Sequence, residues 1–232
     1  MVEEDYDEKN PLHPNCRELP TMGNYSVEVW VARVVGIIDY GSGNVGSILN
    51  ALKKTETDSI LSNQRDALLA CSHIILPGVG SFSGAMQKLR SKIGLDFVRE
   101  LADQKPFLGI CVGMQALGST SEEFGSTEEG MGIFPHKVRQ LRGAPYLPHV
   151  GWNSLIGVSK QSQLLKGLDE NEDFYFVHSF VLDAADGYSV ASCSYGEEFI
   201  AVVERGQTFG VQFHPEKSGP AGVKLLENFA RV

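Results

Sequence analysis

Residues 107–117 read FLGICVGMQAL, an apolar run followed, after a cysteine between two glycines, by a short helical pattern. We predict a strand over residues 107–110 and a helix over residues 112–117. Cys111 stands at the junction, which is the form of a nucleophile elbow. The dipole and free N–H groups of a helix N-terminus favour thiolate over thiol, and thiolate is the attacking species in acyl transfer. Taken alone, the stretch fits a buried cysteine in a glycine-containing turn equally well.

Strand and helix patterns alternate in the same way from this stretch towards the N-terminus. Apolar strands are predicted at residues 34–38, 59–61 and 73–76. Helices are predicted at residues 45–54, 64–71, 83–89 and 95–103, with Asn44 as the N-cap of the first. Apolar strands that alternate with helices indicate a parallel sheet covered by helices on both faces.

The residues after the elbow are richer in strands than in helices. Strands are predicted at residues 174–177, 189–194, 200–204 and 210–213, followed by a final helix at residues 221–230. Hairpins among these strands would extend the sheet. The predicted fold class is therefore α/β, with a mostly parallel central sheet flanked by helices on both faces and an antiparallel β extension.

Composition argues against two kinds of partner. The net charge is −9 and no cluster of Lys and Arg stands out, whereas nucleic-acid binding needs concentrated positive charge. The apolar runs are far shorter than the ~20 residues that span a bilayer, so no membrane partner is expected. The four cysteines show neither disulfide-scaffold nor zinc spacing, which indicates a reducing, cytoplasmic location. Cys16, Cys71 and Cys193 lack a reactive context, and we assign them no function.

Residues 1–32 differ from the rest of the chain. They hold seven acidic and two basic residues, so a net charge of −5 out of −9 lies here. Three prolines (Pro11, Pro14 and Pro20) occur in this segment, and neither a helical nor a strand period develops. The segment resembles neither a signal peptide nor a transit peptide. We predict a flexible acidic extension at residues 1–32 and one folded domain at residues 33–232.

A thiol nucleophile needs a base, and the base needs a group that orients it. His214 follows an apolar strand and lies two residues before Glu216, so in an extended segment their side chains point the same way. By itself, His-Pro-Glu fits an ordinary loop better. His178 is the competing base, but it has no carboxylate near it in the sequence. Of the remaining histidines, His13 lies in the extension, and His73, His136 and His149 are interpreted as structural.

Together, residues 109–115 and 213–216 strongly resemble the class I, triad-type glutamine amidotransferases in order and spacing. Within that class, the chain is similar to the glutaminase subunits of imidazole glycerol phosphate synthases, which act in histidine biosynthesis. The similar segments are residues 39–44, 76–82, 148–153, 175–180 and 214–218. The resemblance covers nearly all of the chain after the extension.

The resemblance implies a flavodoxin-like fold, glutamine as substrate and no metal or organic cofactor. It makes Cys111 the nucleophile, His214 the general base and acid, and Glu216 the residue that orients His214. The oxyanion hole would use the N–H of Val112 and an N–H of the Val79–Gly80 segment, available after a peptide rotation. The implied substrate-binding residues are Gln115, Glu123, Ser179 and Phe180. The implied partner is a cyclase subunit with a (β/α)8 barrel, facing Asn44, Trp152, Tyr175 and Lys217.

One departure from the family pattern concerns Gly118, which should weaken the predicted helix over residues 112–117 by ~1 kcal/mol relative to alanine. That leaves the length of the helix, and with it the placement of Glu123, open. Three other functions fit parts of the pattern: a glutaminase for anthranilate or aminodeoxychorismate synthase, a non-catalytic homologue, and a cysteine peptidase. The intact triad argues against the second, and Gln115 with residues 77–80 argues against the third.

Overall fold

A computed structural model describes residues 33–125, 127–183 and 187–232. The predicted extension at residues 1–32 lies outside the described residues, so its flexibility stays a prediction. In the part that is described, no helix combines the length and the apolar character needed to cross a bilayer.

The first half of the described chain alternates strands with helices, as predicted. Its elements are β1 (Val34–Ile38), α1 (Val45–Lys54), β2 (Asp58–Ser62), α2 (Arg65–Ala70), β3 (His73–Leu76), α3 (Phe82–Lys92), α4 (Leu95–Gln104), β4 (Phe107–Ile110) and α5 (Val112–Ala116). The four strands pair in parallel in the order β2-β1-β3-β4. Every residue of β3 and β4 is buried, which is typical of strands covered on both faces.

The second half adds strands and a single long helix. Its elements are β5 (Thr120–Ser121), β6 (Glu128–Glu129), β7 (Lys137–Gln140), β8 (His149–Ser154), β9 (Asp173–His178), β10 (Phe180–Leu182), β11 (Ser189–Tyr195), β12 (Glu197–Arg205), β13 (Thr208–Val211) and α6 (Gly219–Ala230), with 3-10 turns at Glu123–Gly125 and Pro215–Lys217. β13 pairs in parallel with β4, and β12 and β11 follow in antiparallel pairing. This completes a seven-stranded sheet and confirms the predicted fold class.

Two smaller sheets were not predicted. One has the order β10-β7-β5-β6, and the other is the antiparallel pair β8-β9. Both lie outside the central sheet. Ser179 connects β9 to β10, and β9 lies next to the end of β13. There His214 donates its backbone N–H to the Tyr175 carbonyl at 2.9 Å. The small sheets therefore supply one wall of the region around His214.

Of two local expectations for the helices, one is confirmed in position only and the other is wrong. Asn44 is the N-cap residue of α1, but its side chain makes no capping hydrogen bond; its backbone carbonyl accepts from the Ile48 N–H at 3.1 Å. Helix α5 ends at Ala116, so Gly118 lies beyond the helix and cannot weaken it. A Cβ atom at Gly118 would lie 2.8 Å from the His136 carbonyl oxygen, so close backbone packing explains this glycine.

Glycines also allow α5 to lie against the segment that follows β3. A Cβ atom on Gly113 would lie 2.1 Å from the Leu76 carbonyl oxygen, and one on Gly78 would lie 2.3 Å from the Gly113 nitrogen. Backbone atoms cannot move aside as a flexible side chain can. The two glycines therefore bring the elbow and the residues after β3 to the same edge of the sheet.

Replacing Gly113 with alanine should lower the free energy of unfolding by at least about 2 kcal/mol, because the new methyl group meets backbone atoms. Gly46 is a matched control, since it also lies in a helix but a Cβ atom there meets nothing within 4 Å. Gly46→Ala should raise the stability by about 0.5–1 kcal/mol through helix propensity. Denaturant unfolding of both variants checks this; equal effects at the two positions would contradict the packing argument.

Candidate active site

Three neighbouring parallel strands end at one edge of the central sheet, and each delivers a predicted site residue. β3 leads to Val79 and Gly80, β4 leads to Cys111, and β13 leads to His214. Sites in open α/β sheets are usually formed at the carboxyl ends of strands. The topology thus brings together residues that lie about a hundred positions apart.

The elbow holds Cys111 in a conformation that few residues other than glycine adopt, with φ 55° and ψ −111°. Hydrogen bonds on both sides fix it: its N–H donates to the Val211 carbonyl at 2.7 Å, and its carbonyl accepts from the Gln115 N–H at 3.0 Å. Strained backbone of this kind persists where the surrounding structure enforces it. The side chain of Cys111 is thereby placed at the N-terminus of α5.

His214 and Glu216 form a buried pair beside the elbow. Nδ1 of His214 lies 2.9 Å from Oε1 of Glu216, and both side chains are at most 2% exposed. A carboxylate accepts hydrogen bonds and does not donate, so Nδ1 carries a proton and Nε2 is left for other partners. His214 itself is extended, but Pro215–Lys217 form a 3-10 turn. The prediction of an extended segment is therefore wrong for Glu216, although its side chain does contact that of His214.

The protonation of His214 depends on two neighbours. Burial lowers the pKa of the imidazole, but the interactions with Cys111 and Glu216 outweigh burial and raise the pKa to about 10. Nε2 makes no hydrogen bond of regular geometry within the described residues, although the side chain of Cys111 is the neighbour that raises the pKa of the ring most. The arrangement therefore favours an imidazolium at neutral pH.

A pocket of about 150 Å³ opens onto the elbow. Its lining includes Cys111, Val112, His214, Val79 and Gly80, and the predicted substrate-binding residues Gln115, Glu123, Ser179 and Phe180. Glu216 does not line the pocket, because it lies behind His214. Nine of the ten residues predicted to be catalytic, oxyanion-binding or substrate-binding are therefore found around one cavity.

Glu123 reaches the pocket although α5 is short. After the helix, β5 runs in parallel beside β7 and carries the chain to the 3-10 turn that begins with Glu123. The carboxylate accepts a hydrogen bond from the Phe82 N–H at 2.5 Å. Burial raises the pKa of this carboxyl, and the N–H groups of Phe82 and Ser83 oppose that rise. The open question about the placement of Glu123 is thus resolved in favour of the pocket.

His178 also lines the pocket, but both of its ring nitrogens are engaged. Nε2 lies 3.1 Å from Nδ1 of His149, and Nδ1 lies 3.1 Å from the Phe180 carbonyl oxygen. Burial, followed by the neighbouring His149 and His214, lowers the pKa of His178 to about 3. A ring that stays neutral and fully hydrogen-bonded is poorly suited to be the base, so the geometry favours His214.

The four residues predicted to face a partner lie near one another. Trp152 and Tyr175 are paired across β8 and β9 with ring centroids 5.8 Å apart, and Nζ of Lys217 lies 5.5 Å from the centre of the Tyr175 ring. Asn44 is the N-cap residue before α1, and α1 packs against the turn Pro215–Lys217. Trp152 is 54% exposed. These residues form a partly exposed aromatic surface beside the pocket.

Sequence reasoning missed Gln212. Its side chain is fully buried, accepts a hydrogen bond from Nε2 of Gln115 at 3.1 Å, and places its own Nε2 3.7 Å from the sulfur of Cys111. The sequence signal that could have revealed it is the position of this polar residue between the apolar end of β13 and Phe213. Among the described residues, no group of histidine, cysteine or acidic side chains is arranged to hold a metal ion.

The charge state of His214 can be measured directly. We expect NMR of the labelled imidazole to show His214 still protonated at pH 8, and we expect its pKa to fall in Cys111→Ala, which removes the sulfur. Because the folded-state pKa is raised, the pair stabilises the fold fully below about pH 6.5, and this contribution disappears as the pH rises through about 10. Cys71→Ala is the control; a pKa that is the same in all three proteins would rule out the pairing.

Residues 36–232 match the family model of glutamine amidotransferase class-I, so the chain belongs to the class I glutamine amidotransferase family. Among curated proteins, it is 42% identical over 199 residues to the imidazole glycerol phosphate synthase subunit HisH of Methanothermobacter thermautotrophicus, covering 86% of this chain and 98% of that protein. The protein of the same name from Methanocaldococcus jannaschii is 41% identical, with 86% and 100% of the two chains covered. The subunit HisH 1 of Vibrio vulnificus is 42% identical, with 85% and 98% covered.

Solved structures agree on the fold. A putative GMP synthase protein from Thermoplasma acidophilum superimposes with a TM-score of 0.65 at 20% identity, covering 86% of this chain and 93% of that chain. The structure of PurLQS from Thermotoga maritima superimposes with a TM-score of 0.66 at 20% identity, covering 86% and 98%. At these identities the likeness concerns the fold alone, and it confirms the predicted amidotransferase architecture.

Proposed function

We propose that this chain is the glutaminase subunit of an imidazole glycerol phosphate synthase. It hydrolyses glutamine to glutamate and ammonia, and it passes the ammonia to a separate cyclase subunit in the cytoplasm. The names of its relatives support the assignment. The observation that carries the chemistry is the buried His214–Glu216 pair beside the strained Cys111 elbow, in a pocket lined by the predicted substrate residues.

The first step is attack of the Cys111 thiolate on the side-chain carboxamide carbon of glutamine. The carbonyl oxygen becomes an oxyanion, which we place against the N–H of Val112 and an N–H of the Val79–Gly80 segment. No N–H of these three residues donates to an acceptor within the described part of the chain. An oxyanion-hole donor is worth ~3 kcal/mol in the transition state.

The second step is protonation of the leaving nitrogen by His214. The imidazolium gives its Nε2 proton to the nitrogen, the C–N bond breaks, and ammonia leaves a γ-glutamyl thioester on Cys111. Neutral His214 then takes a proton from water as the water attacks the thioester. Glutamate and the thiolate are released, and His214 is again an imidazolium. Glu216 holds Nδ1 throughout, so the ring keeps one orientation for both transfers.

The pocket also offers groups for the amino-acid end of glutamine. The carboxylate of Glu123 is suited to the α-ammonium, since it is a negative group at the pocket wall. Gln115, Ser179 and Phe180 would bind the remaining polar groups. Nε2 of Gln115 already donates to the Phe180 carbonyl at 2.9 Å, so these two residues are held in place before the substrate arrives.

The cyclase, which we propose to be a (β/α)8 barrel, would bind the aromatic surface formed by Asn44, Trp152, Tyr175 and Lys217. This surface is connected to the base, because the Tyr175 carbonyl accepts the His214 backbone N–H at 2.9 Å. Ser42, two residues before Asn44 in the chain, donates its hydroxyl to the Val79 carbonyl at 2.9 Å. Partner contacts could therefore change the backbone of the Val79–Gly80 segment. Such a change would increase the fraction of active sites in which two N–H donors face the oxyanion.

Steady-state glutaminase assays test this function. We expect slow turnover by the chain alone, and a rise of about 10²- to 10³-fold with the cyclase and its ribotide ligand, as expected when an oxyanion-hole donor is gained. An anthranilate synthase component serves as the mismatched partner and should have no effect. Activation by that component instead of the cyclase, or full activity of the chain alone, would contradict the proposal.

A further inference from the structure

We propose that Gln212 is a positioning residue that donates an amide N–H to the sulfur of Cys111 and holds it as the thiolate. This inference rests on the proposed function insofar as Cys111 is the nucleophile. The reaction steps above give this buried polar side chain no role, and the inference assigns it one.

Gln212 directly follows β13, the strand that neighbours β4 in the central sheet. Its backbone N–H donates to the Ala201 carbonyl at 2.9 Å, and its side chain is fully buried. From there Nε2 reaches to 3.7 Å from the sulfur of Cys111, a long contact because sulfur is larger than oxygen. A buried amide is costly unless its polar atoms find partners, so this orientation is not incidental.

A chain of hydrogen bonds fixes which end of the amide faces the sulfur. The Phe180 carbonyl can only accept, so the atom of Gln115 that lies 2.9 Å from it must be the NH₂ group. The same NH₂ group lies 3.1 Å from Gln212, which must therefore present its oxygen. The NH₂ group of Gln212 is left to face Cys111. A backbone carbonyl thus determines, through two glutamines, that the sulfur meets a donor.

A donor is the right group for a thiolate. Hydrogen bonds to an ionised acceptor are about twice as strong as neutral ones, so the contact stabilises the negative sulfur more than the thiol. His214 interacts with the same sulfur as a positive charge. Gln212 thereby supplies a second, uncharged contact that does not lose a proton during the reaction, and it keeps the sulfur in place after His214 has given its proton away.

The substitution Gln212→Glu separates this role from simple packing. The glutamate side chain keeps the size and can still accept from Gln115, but it presents a carboxylate oxygen to the sulfur. We expect iodoacetamide to alkylate Cys111 on the order of tenfold more slowly at pH 7, with the inflection of the rate-against-pH curve moved to higher pH. We expect kcat/KM for glutamine to fall by a similar factor. Alkylation is followed on the peptide that contains Cys111, with Cys111→Ala as the blank.

Two further variants keep the test decisive. Gln207→Glu adds the same charge at an exposed position and should leave the pH curve unchanged. Gln212→Met removes the donor without adding charge; it replaces Gln212→Glu if that variant does not fold, and the same shift is expected. An unshifted curve in a folded Gln212 variant overturns the inference. If the curve shifts but the wild-type chain does not hydrolyse glutamine, the proposed function fails while the role of Gln212 stands.

Discussion

Replacing Cys111 with alanine is expected to lower glutamine hydrolysis by about 10⁶-fold, the loss seen when the nucleophile of a triad is removed. The residue lies at the strained turn between β4 and α5, and the pocket opens onto its side chain. No thioester can form without the sulfur, so glutamine-dependent synthesis by the complex should stop. Synthesis from added ammonia should continue, because the cyclase needs ammonia and not glutamine. Glutamate release and product formation with each nitrogen source are the measurements.

Cys193→Ala is the matched control for this prediction. Cys193 is a buried free cysteine in β11, and burial raises the pKa of its thiol to about 12, so it is expected to be unreactive. We expect this variant to keep glutamine turnover. Loss of ammonia-dependent synthesis in Cys111→Ala would mean that the substitution disturbs the complex, and retained glutamine turnover would remove Cys111 from the mechanism.

Glu216→Gln is expected to lower kcat on the order of 10⁴-fold, as occurs when the carboxylate of a triad becomes an amide. The carboxylate holds Nδ1 of His214 at 2.9 Å and helps to raise the pKa of the ring. An amide can present its NH₂ group to Nδ1, which favours the tautomer that is protonated at Nε2. This is the wrong tautomer, because Nε2 must later accept a proton. The pKa of His214 should fall in the same variant. Steady-state kinetics and NMR titration of His214 follow the two effects.

Glu198→Gln is the control for the charge change, since Glu198 is exposed on β12 and accepts a hydrogen bond from Ser192. This variant should retain wild-type kinetics. A Glu216→Gln enzyme with normal kcat would show that His214 needs no carboxylate to orient it, and a normal pKa of His214 would show that Glu216 contributes nothing to its charge.

Much of the central sheet could be predicted because its strands are continuous apolar runs between helices. β1, β3 and β4 begin and end at the predicted residues. The small sheets could not be predicted, for two reasons. β5 and β6 contain two residues each, too few for a periodic pattern, and β7 reads KVRQ, with a single apolar residue. Such strands form because the folded chain offers them partners, not because of their own propensity.

Prediction of the candidate site was limited in a similar way. The elbow and the His-Pro-Glu segment are local motifs, so their residues could be named before the fold was known. Gln212 has no motif of its own: it becomes significant only when β13 lies beside β4 and the amide meets the sulfur. The order of the hydrogen bonds from Phe180 through Gln115 is likewise a property of the folded chain.

The central claim is that glutamine is hydrolysed through a covalent bond to Cys111. Rapid acid quenching of the wild-type complex during turnover of radiolabelled glutamine tests it most directly. The account predicts a labelled γ-glutamyl thioester that maps to the peptide containing Cys111, is cleaved by hydroxylamine and is absent from Cys111→Ala. Continued turnover without label on that peptide, or label on a peptide containing a different cysteine, would contradict it.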